Sequence, residues 1–389
     1  MPQTPSTSIE NTETPPSVNS SPDELPSIPV WHAVGAVLLS VGVLALIAYL
    51  TFDASVFWAY AGRANAGWLA LAVAAVAARV VFGGWRLSYI SGGRISFEGG
   101  LRGQLAWDFF SNITPSAIGG APLATFYVAR DVDLRIGETT ALMLFSMLLD
   151  QLWFAVTIPA LLLATVWMPV FPEAAGWIGQ WVLATFFVGM LGWTVLFAYA
   201  TLVRIDVLEK AAHWLTSFRW LRRFQGRVDR EMTQLRRRAT MLRGQPLRFF
   251  VNGFLMTVGA WISRYLSLVF VVWSVYTELD KLLLIFRSAG LMLLALALPT
   301  PGGSGGIEGL YALFIGPLIP QAVMAPTLVT WRVLAYYLFI AGGAYLTIYQ
   351  VQKTLRDRKH KADSERCAPS PDGQPREAAE ADERQAVAD

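Results

Sequence analysis

The chain has 389 residues, of which 54% are hydrophobic and only 15% charged, with a formal net charge of +3. A soluble domain carries nearer one quarter charged residues, so this composition excludes an ordinary soluble enzyme and describes an all-α polytopic membrane protein. One cysteine, Cys367, and three scattered histidines leave no internal disulfide, no metal-ligand spacing and no expected metal or cofactor, and no phosphate-binding or dinucleotide fingerprint appears.

Residues 1–29 are rich in Ser, Thr and Pro, hold no Lys or Arg, and read as a disordered tail. They lack the basic start of a signal peptide, so none is expected to be cleaved. Apolar runs then predict six full membrane helices: Val30–Phe52, Gly67–Ile90, Glu138–Trp167, Trp177–Val203, Phe249–Tyr276 and Pro326–Val351. Trp177 and Trp181 stand in the first turn of the fourth, as in an interfacial aromatic belt. Between Arg204 and Arg248 lie twelve basic residues against four acidic ones. This 204–248 segment reads as a cytoplasmic loop contacting lipid headgroups rather than a nucleic-acid site. Its interleaved Leu208, Trp214, Phe218 and Leu221 fit a helix lying on the membrane. Residues 353–389 read as a disordered cytoplasmic tail, and Lys/Arg placement in a cell (inner) membrane protein predicts that both termini are cytoplasmic.

Two stretches break the apolar pattern. Asn112-Ile113-Thr114-Pro115-Ser116-Ala117-Ile118-Gly119-Gly120 and Thr300-Pro301-Gly302-Gly303-Ser304-Gly305-Gly306 share Thr-Pro, three residues, then Gly-Gly. Neither can be continuous helix. The segments around them are short, so residues 101–128 and 282–319 are each expected to form a re-entrant half-helix hairpin. The plain alternative is two ordinary loops. Matched Gly/Pro breaks in two halves of a chain point to a transporter's binding site.

Aligning the breaks brings charges into register. Arg79 precedes Thr114 by 35 residues and Arg264 precedes Thr300 by 36, each near the middle of a full helix. The two helices run in opposite directions by the orientation above, which is the pattern of an inverted-topology repeat. A charge at the bilayer centre is costly, so Arg79, Asp150 and Arg264 need partners. Asp150 is expected to pair with Arg79 or Arg264, leaving one Arg in a shared cavity. The alternatives are a structural ion pair with a snorkelling Arg, or an Arg that grips an anionic group with its planar fork. Asn112 and Thr114 fit either helix caps or substrate contacts. Glu308 fits compensation of a helix dipole, and Arg287 and Arg332 fit snorkelling near helix ends. Asp108 is ambiguous.

These residues resemble a known family, the membrane region of lysylphosphatidylglycerol synthases and related flippase-like proteins. The likeness rests on Asn112–Pro115 with Gly119-Gly120-Ala121-Pro122, on Leu149-Asp150, on Pro299–Glu308, and on Trp331-Arg332. It covers about residues 30–352, which the resemblance makes a flippase-like transmembrane domain. Family members often carry Glu or Gln where Ala121 stands, so a polar side chain there is not required in this chain. The synthases' soluble aminoacyl-transferase domain is not expected, since a short polar tail follows Val351. The resemblance implies a lipid translocator rather than an enzyme, with membrane phospholipids as partners and a substrate site built from Arg79, Asn112, Thr114, Pro115, Gly119, Gly120, Asp150, Arg264, Thr300, Pro301, Gly302, Gly303, Gly305, Gly306, Glu308 and Arg332. An ion or small-anion transporter, and a non-transporting partner of a lipid-modifying enzyme, remain open, and a homo-oligomer is compatible with the sequence.

Overall fold

The structure, a computed structural model, describes residues 64–114, 120–202 and 244–346, with isolated positions between 38 and 62 and at 349 and 352. Most of the expected first helix, the two tails, most of the basic segment and residues 115–119 therefore lie outside the described residues. Those described contain helices and no strand. They are α1 (Ala66–Ile90), α2 (Phe97–Ile113), α3 (Gly120–Asp131), α4 (Ile136–Ala164), α5 (Gly176–Leu202), α6 (Leu247–Val275), α7 (Lys281–Ala295), α8 (Gly306–Phe314) and α9 (Gln321–Arg332), the last continued by a π turn at Val333–Tyr337.

Five helices are long and apolar enough to cross a bilayer: α1, α4, α5, α6 and α9 with its extension to Leu346. They coincide with five of the six expected spans. One boundary differs. The last span begins at Gln321 rather than Pro326, because Pro326 lies early in α9, where the loss of its N–H removes a single helical bond. The starts of other helices follow local chemistry. Asn65 Oδ1 accepts from Gly67 N–H at 2.8 Å, Ser96 Oγ from Gly99 N–H at 3.1 Å, and Asp280 Oδ1 from Leu282 N–H at 2.9 Å.

The four remaining helices are shorter than these five. At 1.5 Å per residue, α2 reaches about 25 Å and α3 about 18 Å, while α7 reaches about 22 Å and α8 about 14 Å. Each short pair flanks one Gly/Pro break and packs on itself, α2 against α3 and α7 against α8. α1 and α6 pack along their lengths. They are antiparallel: Asn65 N–H at the start of α1 donates to Ser274 O near the end of α6 at 2.7 Å, while Asn252 Nδ2 near the start of α6 donates to Tyr89 Oη at 3.1 Å. Glycine brings α2 onto α1. A Cβ at Gly84 would lie 2.8 Å from the Leu101 backbone, so the crossing closes only without one.

Buried apolar side chains form two clusters. One joins α1, α2, α3 and α4 around Leu87, Val128 and Leu149; the other joins α4, α6, α7, α8 and α9 around Leu268, Leu291 and Tyr311. Large apolar residues such as Leu69, Leu163, Trp177 and Leu255 stay exposed on the outer faces, as they do where lipid is the solvent. α5 is the least buried span and packs mainly on α4.

Candidate functional site

Two arginines on α1 set the floor of the site. Arg79 and Arg86 lie two turns apart on one helix face and are buried, at 9% and 5% exposure. Arg79 pairs with Asp108 of α2, one turn after Gln104, whose Nε2 donates to Asp108 Oδ2 at 3.2 Å. The Arg79 guanidinium also stands 4.7 Å over the Phe339 ring. Arg86 Nη1 lies 2.6 Å from Asp150 Oδ1 on α4 and donates to Thr257 Oγ1 on α6 at 3.2 Å. Trp261 Nε1 donates to the same Asp150 oxygen at 2.9 Å. Both carboxylates are thus held by a cation and a second donor, the condition under which a buried pair is tolerated.

The second break is knitted by another pair. Gly302, Gly303 and Gly305 adopt φ of 57°, 66° and 83°, the left-handed region that favours glycine. α8 starts immediately after them. Glu308, in its first turn and fully buried, accepts from Gly305 N–H at 2.8 Å through Oε2. Its Oε1 lies 2.9 Å from Arg332 Nε on α9. The Arg332 guanidinium stacks 4.0 Å over the Tyr336 ring, and Tyr336 Oη meets Ser304 Oγ at 3.1 Å. The π turn at Val333–Tyr337 re-phases α9 at this point. Glu308 therefore compensates the α8 dipole and neutralises Arg332, fixing the loop rather than leaving either charge to a ligand.

The two breaks meet. A Cβ on Gly302 would stand 2.9 Å from the carbonyl oxygen of Asn112, so the second break lies directly against the end of α2. Beside this contact is a cavity of about 570 Å³. Arg79, Arg86, Asp108 and Asp150 line it, with Asn112, Thr300, Gly302, Gly303 and Arg332 from the breaks and α9. Met147 and Phe154 of α4, a turn either side of Asp150, with Phe186 and Met190 of α5, add apolar lining.

Arg264 projects into the same cavity from the middle of α6. It is half-buried, and its guanidinium lies 5.1 Å from the Trp261 ring. Among the described residues no carboxylate lies within ion-pair distance of it. Four guanidinium groups line the cavity and three carboxylates answer them, Asp108, Asp150 and Glu308, so 4 − 3 leaves one positive charge, on Arg264. Several polar atoms around the cavity also lack protein partners: Ser111 Oγ, Thr300 Oγ1 and Trp331 Nε1. The site can hold an anion with several oxygen acceptors.

The expected residues fall into groups. Arg79, Asn112, Asp150, Arg264, Thr300, Gly302, Gly303 and Arg332 line one cavity. Thr114 caps α2, its Oγ1 donating to Phe110 O at 2.6 Å. Gly120 opens α3 against the Ser111 backbone, Gly305 and Gly306 open α8, and Pro301 and Glu308 stay out of the cavity lining. Pro115 and Gly119 lie outside the described residues. One expectation is overturned. Asp150 pairs with neither Arg79 nor Arg264 but with Arg86, because α4 sets Asp150 at the depth of Arg86, while α2 sets Asp108 opposite Arg79. Arg287 and Arg332 do not snorkel either: Arg332 is sealed against Glu308, and Arg287 donates to the carbonyls of Pro169 at 2.8 Å and Phe314 at 3.0 Å, tying α7 to the end of α8 and to the turn after α4. Arg86 escaped the sequence reading, although its seven-residue spacing from Arg79 places both on one face.

Apolar spans, exposed apolar outer faces and a charged interior cavity define an integral multi-pass membrane protein. The sequence matches the lysylphosphatidylglycerol synthase transmembrane region over residues 34–343, and the chain belongs to that family. It is also similar to a UPF0104 membrane protein of Archaeoglobus fulgidus, 26% identical over 335 residues, covering 82% of this chain and 97% of that one.

Proposed function

We propose that the protein is a lipid translocator that moves an anionic or zwitterionic phospholipid between the leaflets of the cell membrane. The observation that carries this reading is Arg264: a mid-helix cation, inside a cavity at the meeting of the two breaks, with no carboxylate answering it among the described residues. A lone charge at bilayer depth costs about 2.5–3.5 kcal/mol even on the mild insertion scale. A phosphodiester offers it two parallel charge-assisted hydrogen bonds and removes that cost.

In this reading α2–α3 and α7–α8 are re-entrant hairpins, entering from the cytoplasm and from outside, with their tips at the midplane. The helix series α1–α4 and α6–α9 form an inverted repeat around the cavity, as the antiparallel packing of α1 and α6 supports. The 204–248 segment and both termini are cytoplasmic. Small-anion transport would use the same cation, so the test separates the two. The purified protein is reconstituted into vesicles holding a headgroup-labelled phospholipid, and quenching by a membrane-impermeant reductant reports label arriving in the outer leaflet. The reading predicts faster quenching than in protein-free vesicles, slowed by Arg264→Gln. Chloride or phosphate flux without lipid movement would instead favour an anion pathway.

A further inference from the structure

The lipid reading leaves open how a molecule with two long chains reaches a cavity inside a helix bundle. Most lining residues are buried or half-buried, and three are exposed: Gly189 and Trp193 on α5, and Ala297 in the turn after α7. The exposed lining thus comes from two segments only. α5 is held chiefly by α4, to which Thr194 Oγ1 donates at 2.8 Å through Gln151 Oε1, and it does not pack broadly on α7. Gly189 has no atom within 4 Å of where a Cβ would stand. The wall there is apolar: Phe186 and Met190 on one side, Leu296 and Leu298 on the other. The same cavity carries the ion pairs and Arg264.

We infer that the cavity opens sideways to the bilayer between α5 and the Ala297 turn, and that through this port the chains of a lipid with one net negative headgroup charge extend while its phosphate sits at Arg264. The inference rests on the lipid reading of the same site and narrows it. Charge selects the occupant. One uncompensated guanidinium is neutralised by one net negative charge, so a polyol phosphodiester lipid fits, while a zwitterionic headgroup brings an ammonium into a cavity that already holds a surplus cation. Shape selects the path. A polar headgroup requires the charged floor, and hydrocarbon is accommodated by the apolar walls that lead outward past Gly189.

Photo-crosslinking tests this separately from transport. Full-length protein in lipid nanodiscs is exposed to phosphatidylglycerol, or to phosphatidylcholine, carrying a photoactivatable diazirine in one acyl chain, and labelled peptides are mapped by mass spectrometry. The phosphatidylglycerol probe is expected to label residues 186–193 and 296–298 more strongly than the lipid-facing Val251 and Leu255. Arg264→Gln is expected to lower that labelling about tenfold, the worth of one charge-assisted hydrogen bond, and leave Val251 and Leu255 unchanged. Gly189→Trp, which plugs the port, is expected to lower it too, whereas Gly192→Trp, on α5 outside the cavity lining, is not. Labelling at 186–193 no greater than at Val251, or equal with both probes and insensitive to Arg264→Gln, overturns the port. Port labelling as described in a protein that moves no lipid between leaflets would leave the port standing and remove translocation.

Discussion

Arg86 and Asp150 are joined across α1 and α4 at 2.6 Å, and Trp261 of α6 donates to the same carboxylate oxygen at 2.9 Å. Three helices therefore depend on one side chain. Removing one partner of a buried pair leaves the other charged in a medium of low polarity, at a cost of about 3–5 kcal/mol in soluble proteins. Asp150→Asn is expected to lower the detergent melting temperature and the yield of folded protein. The double variant Arg86→Met with Asp150→Leu, which removes both charges, is expected to melt above the single one. If Asp150→Asn melts like the parent, the pair is not structural.

Gly302 and Asn112 mark where the two breaks touch. A Cβ at residue 302 would sit in left-handed backbone, at φ 57°, and 2.9 Å from the Asn112 carbonyl oxygen. Gly302→Ala is expected to cost about 1–3 kcal/mol through backbone strain and to displace the break. Gly309→Ala, on an exposed face of α8 with open space around it, is expected to cost nothing measurable. Equal melting of the two variants would show that the breaks do not pack tightly.

Glu308 serves two partners, Gly305 N–H and Arg332, from full burial. Glu308→Gln keeps an acceptor for the cap and removes the counter-charge of Arg332. The expected loss is about 3 kcal/mol, in the range for a broken buried pair, with transport lost alongside. Thermal melting and vesicle assays on the same preparation measure both. A variant that melts normally yet fails to transport would move Glu308 from scaffold to substrate contact.

The double re-entry is tested by labelling. Single cysteines at Arg94 and Asp133, exposed at the two ends of α2–α3, are expected to react with an impermeant thiol reagent from the cytoplasmic side only, in a background lacking Cys367. Cysteines at Thr277 and Gln321, exposed at the two ends of α7–α8, are expected to react from outside only. If either pair splits across the membrane, that hairpin spans.

The spans were legible because each bilayer crossing demands an apolar run of sufficient length, and α1, α4, α5 and α6 begin and end close to where hydropathy places them. The breaks were legible because Gly and Pro cannot continue a helix. The charge partners were not. Arg79 and Arg86 share a face by spacing alone, but whether Asp150 meets one or the other depends on how far α4 is shifted along α1, which no local pattern encodes. The same holds for Asp108, whose role appears only once the glycine crossing at Gly84 seats α2 against α1. With Arg79 paired to Asp108, Arg79→Gln is expected to destabilise the fold, whereas the sequence alone left it as a candidate free cation.

If Arg264 holds the phosphate of a lipid, melting the parent and Arg264→Gln in detergent with and without added phosphatidylglycerol will tell the two proteins apart. Without lipid, the variant is expected to melt no lower than the parent, since it loses a cation–π contact with Trp261 but sheds an uncompensated charge. With lipid at about one hundred times its dissociation constant, the parent gains about 2.7 kcal/mol of stability and the variant, binding about tenfold more weakly, gains about 1.4 kcal/mol. Equal lipid-induced stabilisation of both proteins would leave Arg264 without a role in binding.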